Sequence, residues 1–287
     1  MTRFSNPSFV SSVLEEYGFR FKKRFGQNFL IDGNILDSII AAAQLKAWDW
    51  VFEVGPGLGA LTTAAAAKAE KVVAVEIDRT LVSILKEKLR SPNIAVIKGD
   101  ALTLDWRDAL QEQGWAGESL KFVANLPYYL TTPLIMKALE GGLPFQNLIV
   151  MVQKEVGQRM AAQPDSKDYG VLSLVVQYYT EVSLVCSVPR TVFIPAPKVD
   201  SAVLSLRPRP PKADAPRAEL FEVIKISFQQ RRKTVRNALK PLAKQWDLTL
   251  GDLDQAFARA NLDSSLRGER LTLNDFSELT KQLLKGR

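Results

Sequence analysis

Three segments of this chain place side chains and backbone where a nucleoside and an amine could be held. In Glu53-Val54-Gly55-Pro56-Gly57-Leu58-Gly59 a β-branched run ends and an Ala-rich helical run begins. Glycines at such a turn permit positive φ and let a ligand approach the backbone closely. The spacing is G-x-G-x-G rather than the G-x-G-x-x-G of dinucleotide sites, and a tight turn without a ligand would use the same residues. Glu76 closes the next β-branched run, where a carboxylate can accept hydrogen bonds from two ribose hydroxyls; Asp100, in Lys98-Gly99-Asp100-Ala101, closes the third and suits an adenine amino group. Each acid by itself is as readily a surface or capping carboxylate. Together at matching strand ends they line one crevice.

The fourth run ends in Asn125-Leu126-Pro127-Tyr128. A carboxamide oxygen and the Leu126 carbonyl, held in place by Pro127, can accept both protons of an exocyclic amine and turn its lone pair toward an electrophile. Tyr128 offers a flat face to a base, a contact worth about 1–3 kcal/mol in single-stranded nucleic-acid binding. The bland alternative is a strand-ending turn of the same composition.

Composition removes competing chemistries. The chain has no histidine and one cysteine, Cys186, so Ser-His-Asp triads, Cys-His dyads, imidazole bases and Cys/His zinc sites lack their parts, and no metal site is expected. A lone thiol fits a reducing compartment, and the cytoplasm is expected. With 46% hydrophobic and 24% charged residues, the composition is that of a soluble globular protein. No apolar run reaches the roughly 20 residues of a membrane helix, and no signal peptide is read at the start. Net charge is +7, and residues 190–245 hold 13 Lys/Arg against 4 Asp/Glu. A window that exceeds the whole excess suggests a polyanion-binding face, although a solvated basic helix would count the same.

These residues need elements to carry them. From Trp48 to Val152 short β-branched runs alternate with helical ones, the rhythm of a parallel sheet covered by helices. Strands are expected at 50–54, 71–76, 94–97, 121–124 and 148–152, with a final antiparallel pair at 181–188 and 201–206. Helices are expected at 58–69 and 79–90. Four prolines in Arg207–Pro216 forbid a continuing strand. The division predicted is an α/β domain over 1–207, a linker over 208–216 and a helical domain over 217–287. Helices there are expected at 219–230, 232–244, 253–260 and 273–284.

The motifs Glu-Val-Gly-Pro-Gly-Leu-Gly, Val-Glu-Ile-Asp, Gly-Asp-Ala and Asn-Leu-Pro-Tyr together resemble the KsgA/RsmA family of ribosomal RNA adenine dimethyltransferases. The likeness extends to Phe25-Gly26-Gln27-Asn28-Phe29-Leu30, similar to the family's cofactor-covering segment, and to Phe193–Ala202, similar to its post-catalytic loop. Ser227–Asn237 resembles the start of its helical RNA-binding domain. The match runs from about Tyr17 to Leu239, and Arg267–Leu271 fits loosely.

The resemblance implies a Rossmann-like class I methyltransferase sheet of seven mostly parallel strands, using S-adenosylmethionine and releasing S-adenosylhomocysteine. It implies that Asn28, Leu30, Gly55, Gly57, Glu76, Ile77, Asp100, Ala101 and Asn125 touch the cofactor. Asn125, Leu126, Pro127, Tyr128 and Phe193 would hold and sandwich the target adenine. Lys22, Lys23, Arg24, Arg231, Arg232, Lys233 and Arg236 are read as RNA-binding, the last four as a basic run on a helix. The implied substrate is a pair of adjacent adenosines in the 3′-terminal hairpin loop of small-subunit rRNA, methylated by a monomer on rRNA or a 30S assembly particle. Three alternatives stand beside it: an Erm-type enzyme acting on large-subunit rRNA, a non-catalytic ribosome-assembly factor of the same fold, and an NAD-linked dehydrogenase, which the glycine spacing disfavours.

Overall fold

The computed structural model describes residues 3–22 and 25–287. Its first unit comprises residues 1–157 and 181–208, and its second residues 158–180 and 209–287. In the first unit the β-branched runs become strands, and residues 50–54, 72–76 and 148–152 are buried on both faces, as a helix-covered parallel sheet requires.

After α1 (Pro7–Glu16) and the two-residue β1 (Phe29–Leu30), α2 (Gly33–Ala43) leads into β2 (Trp50–Val54), whose five residues are all buried. Next come α3 (Ala60–Ala66), β3 (Lys71–Glu76), α4 (Arg79–Lys88), β4 (Ile94–Lys98), α5 (Trp106–Gln111) and β5 (Leu120–Asn125). Asp32, Asp78 and Asp105 each accept a hydrogen bond from a first-turn N–H and so start α2, α4 and α5. The unit continues with α6 (Thr131–Glu140) and β6 (Phe145–Gln153); α7 (Lys154–Ala161) and α8 (Val171–Tyr179) follow, then β7 (Thr180–Val188), β8 (Phe193–Ile194) and β9 (Ser201–Pro208).

The main sheet has the order β4-β3-β2-β5-β6-β9-β7. β2, β3, β4, β5 and β6 run parallel and β9 returns antiparallel to β6. The chain works outward from β2 to β4 and then crosses back to β5, so the strand order reverses between β2 and β5. A crevice opens outside the carboxyl ends of the strands at such a reversal. The seven expected strands are all present. Small differences lie at the ends, where β6 begins at Phe145 rather than Leu148 and β5 reaches Asn125. One face of the sheet packs Phe52, Trp106, Phe122 and Phe145 against one another at ring distances of 4.8–6.3 Å.

The second unit corrects the expected domain boundaries. Its core is formed by α9 (Arg217–Gln229), α10 (Val235–Ala238), α11 (Lys240–Gln245), α12 (Leu250–Arg259) and α13 (Leu273–Lys285). It also takes in Tyr169, Leu174 and Tyr178 from before β7, which bury their apolar surface with Leu220, Val223, Phe257 and Phe276. The Pro-rich stretch is not a free linker, since Ala213 and Ala215 are buried in the same core and the Arg209 N–H donates to Tyr179 O. Proline blocked a strand there but not packing.

The helix expected at 232–244 is also corrected. α9 ends at Gln229. Thr234 then accepts the Asn237 N–H to start α10, and Pro241 lies in the first turn of α11. A hydroxyl cap and a proline break what periodicity alone joins.

Candidate active site

Every residue expected to touch the cofactor lies on one cleft at the carboxyl ends of β2, β3 and β5: Asn28, Leu30, Gly55, Gly57, Glu76, Ile77, Asp100, Ala101 and Asn125 all line it. Leu126, Pro127 and Tyr128 line it too. The cleft opens to solvent, and apolar side chains line it together with a few convergent polar groups, the character of a small-molecule site.

The glycine loop forms its floor. Gly57 has φ +60°, and a Cβ there would sit 2.9 Å from the buried Phe29 ring. That residue must therefore be glycine for both reasons, conformation and space. Gly55, at φ +69°, has Pro127 as its nearest side-chain neighbour, so the loop and the Asn-Leu-Pro-Tyr turn adjoin.

Glu76 is buried, and its Oε1 accepts the Asp78 N–H at 2.8 Å. Burial pushes its carboxyl up to about 7; hydrogen bonds from backbone N–H groups offset part of this, and the Asp78 charge adds to the rise. Glu53, two residues before Gly55, is 2% exposed, and its Oε2 has no hydrogen-bonding partner among the described residues. Burial pushes it further, to about 8; the nearby Thr62 hydroxyl offsets part of the rise, and the Glu76 charge adds to it. An orphaned acceptor beside an ionisable neighbour in an open cleft is the kind of group a polar or cationic ligand completes. Asp100 holds its own turn, with Oδ1 accepting the Leu102 N–H at 2.9 Å, and Ala101 O accepts the indole N–H of Trp106.

The segment before β1 is fastened to this edge. Asp78 accepts from Lys22 Nζ at 2.7 Å and from Gln27 Nε2 at 2.9 Å, while the Lys22 N–H donates to Gln27 Oε1. Burial alone would raise the Asp78 carboxyl, but the Lys22 and Gln27 bonds outweigh it and hold it below the usual carboxylate range. Sequence reading took Lys22 as an RNA contact. Its ammonium pairs with the fully buried Asp78 carboxylate, and its side chain stays 38% exposed. Lys23 and Arg24 lie outside the described residues. We expect Lys22→Met to weaken cofactor binding about fivefold by loosening the segment that carries Asn28, a size set by one charge-assisted hydrogen bond. Titration calorimetry checks this, and RNA affinity should not change.

Asn125 sits at the end of β5, half-buried, beside Met151 of β6. Its Nδ2 donates to Asn28 O at 3.1 Å. With the nitrogen so engaged, the carboxamide oxygen is left as an acceptor, the role the sequence required of it. Leu126 is buried and its N–H donates to Met151 O at 3.1 Å, which ties the turn to the sheet. The Tyr128 hydroxyl is 2.7 Å from Ser201 Oγ.

Phe193 departs from expectation. It is 3% exposed and pairs with Leu30 across the short β1–β8 sheet, in a core that includes Met151, Val188 and Val203. The ring is packed beneath the cleft wall rather than along it. An aromatic between prolines reads equally as platform or as core, and its pairing with Leu30 places it with the core.

In the second unit the basic run is not one helix face: Arg231–Lys233 form a turn, with the Lys233 N–H donating to Gln230 O, and Arg236 alone stands on a helix, α10. Arg231 donates to Lys167 O at 2.9 Å and lies 4.0 Å from Glu269; Arg236 is paired with Asp254, its Nη2 at 2.7 Å from Oδ2. Arg232 and Lys233 are exposed. Four cations in sequence therefore present about two to solvent without a partnering acid.

Gln27, Asp78 and Ser201 lie within the motifs that carry the resemblance but were assigned no role from sequence; Asp78 gains its place through Lys22 and Gln27, and Ser201 through Tyr128.

Comparison with known proteins places these features in context. The family described as ribosomal RNA adenine dimethylase matches residues 18–257. The ribosomal RNA small subunit methyltransferase A of Bacillus mycoides is 44% identical over 99% of this chain and 98% of its own length, and that of Bacillus anthracis is equally similar. Among solved structures, a dimethyladenosine transferase from Plasmodium falciparum superimposes with a TM-score of 0.74 at 27% identity, covering 90% of this chain and 98% of its own. The 23S rRNA methyltransferase ErmE follows at TM-score 0.67 and 26% identity, covering 89% and 99%.

Proposed function

The chain belongs to the ribosomal RNA adenine dimethylase family, and from that premise we propose that it transfers methyl groups from S-adenosylmethionine to the N6 amines of two adjacent adenosines in the 3′-terminal hairpin loop of small-subunit rRNA. The observation that carries the reading is the Asn125 Nδ2 to Asn28 O bond, which leaves an oriented acceptor where an amine must be gripped.

The residues present fit the cofactor. Gly57 turns the loop at positive φ against Phe29 on the cleft floor, Glu76 suits a ribose diol, and the orphaned Glu53 Oε2 lies in the same cleft. When bound, S-adenosylmethionine supplies a methyl group on a sulfonium, already activated toward a nitrogen nucleophile. The chain's task is positioning and electrostatics. Asn125 Oδ1 and Leu126 O accept the two N–H bonds of the adenine amine and stabilise the positive charge that grows on nitrogen, the sign-inverse of an oxyanion hole. Tyr128 presents its ring to the extruded base, and a loop adenine is cheaper to unstack than a paired one. The proton released is acidic enough to leave to water, so the absence of histidine is no handicap. Dimethylation requires that the cleft beside Tyr128 admit an amine already bearing one methyl.

The large-subunit alternative is less well supported: near-full-length identity of 44% is to small-subunit enzymes, against 26% to the 23S enzyme. Methyl transfer from labelled cofactor to small-subunit particles lacking the modification, with product sites mapped, tests the assignment; label confined to large-subunit rRNA would overturn it. We further propose that a monomer acts in the cytoplasm on rRNA within an assembling 30S particle. Among the described residues no helix is long and apolar enough to cross a membrane.

RNA affinity should depend on salt through the exposed cations of the second unit. Replacing Arg231, Arg232 and Lys233 together by Gln is expected to lower the slope of log K against log salt by about 1.4, two phosphates at roughly 0.7 each, because Arg231 is partly engaged by Glu269. Filter binding across a salt series measures this.

A further inference from the structure

Tyr128 and Tyr129 are neighbours on one turn, residues 128–130, yet they are held differently. Tyr129 is 54% exposed. Tyr128 is half-buried, and its hydroxyl meets Ser201 Oγ at 2.7 Å. Ser201 is completely buried at the first position of β9, directly opposite Gln153 of β6. Asp200 beside it is fixed from two directions, with Oδ1 accepting the Arg190 N–H and its carbonyl accepting the Lys154 N–H, each at 3.0 Å. The serine is thus anchored by the sheet, whereas Tyr128 stands on a short turn after β5.

From this geometry we infer that Ser201 is a positioning residue for methyl transfer. Its hydroxyl fixes where the long axis of the Tyr128 ring points before the base arrives, so that less side-chain entropy is lost on stacking and the amine is presented to Asn125 from one direction. The inference rests on the reading of Tyr128 as the base platform. A single neutral hydrogen bond of this kind is worth a modest factor in an equilibrium or rate.

Four variants test it: Ser201→Ala, Tyr128→Phe, the double variant, and Tyr128→Ala. Each is assayed for kcat and KM with the 3′-terminal hairpin RNA, and for base stacking with the same hairpin carrying 2-aminopurine at the target adenosine. Ser201→Ala and Tyr128→Phe should each lower kcat about five- to tenfold with KM for RNA little changed, and both should weaken the stacking-induced quench. The double variant should lose no more than either single one, because both remove the same bond. Cofactor affinity by calorimetry should stay within twofold of the parent. Additive losses, or an unchanged quench in Ser201→Ala, would overturn the inference while leaving the platform intact, provided Tyr128→Ala is strongly impaired. Parental kcat in Tyr128→Ala would overturn the platform reading itself.

Discussion

Replacing Asn125 by Ala is expected to lower kcat for methyl transfer by about 10²- to 10³-fold while hairpin RNA affinity stays within about threefold. The magnitude follows from the loss of one preorganised dipole aimed at developing charge. Two features make the effect large. Asn125 Oδ1 is oriented because Nδ2 is engaged by Asn28 O, so the acceptor needs no reorganisation when the amine arrives. The residue also ends β5, whose register with β6 places Asn125 beside Met151, so water or a neighbour cannot replace it at the same spot. RNA affinity depends on many phosphate contacts and should barely register the change. Single-turnover methyl transfer at saturating RNA and cofactor is the measurement; a kcat within threefold of the parent would remove Asn125 from the chemistry.

Glu76→Gln should weaken S-adenosylmethionine binding by about 10- to 100-fold, the range for losing charge-assisted hydrogen bonds to a buried carboxylate. The parent should also bind in a pH-dependent way. Folding raises the Glu76 carboxyl from about 4.5 to about 7, chiefly by burial. The protonated acid is therefore favoured in the empty fold, and only the ionised form accepts from both ribose hydroxyls. Affinity should rise with pH through 7, by about tenfold between pH 6 and pH 8. Stability of the unliganded protein runs the other way: the carboxyl disfavours the folded state increasingly as pH rises from 4.5 through 7. Glu53, about 8 by burial, extends the same trend upward. Lys22 already satisfies Asp78, so that acid does not supply the dependence. Calorimetry at both pH values checks the parent, and in Glu76→Gln the pH ratio should shrink toward the part that Glu53 supplies.

How much of this was legible beforehand differs by residue. The strand-end acids and the Asn-Leu-Pro-Tyr turn were readable because a β-branched run ending in a glycine or an acid is a local signal, and one chain direction puts all such ends on one edge of a parallel sheet. Phe193 was not, because an aromatic between two short strands has no local mark that separates platform from core; pairing with Leu30 buried it. Lys22 and Arg236 looked like free cations until Asp78 and Asp254, 56 and 18 residues away, claimed them. The helix expected over 232–244 failed at Thr234 and Pro241, whose capping and blocking effects periodicity ignores.

Sequence alone bounded the kind of chemistry open to this protein: no imidazole, and a glycine loop, strand-end acids and an Asn-Leu-Pro-Tyr turn whose residue types suit a nucleoside and an amine. These depend on residue type and on spacing within a single element, both local properties. Tertiary structure alone decided which groups are poised. Burial raises Glu53 and Glu76 toward neutrality, Asn28 O turns Asn125, and Ser201 holds Tyr128. Desolvation and hydrogen-bond partners come from residues tens of positions distant, brought together only when the sheet closes over its core.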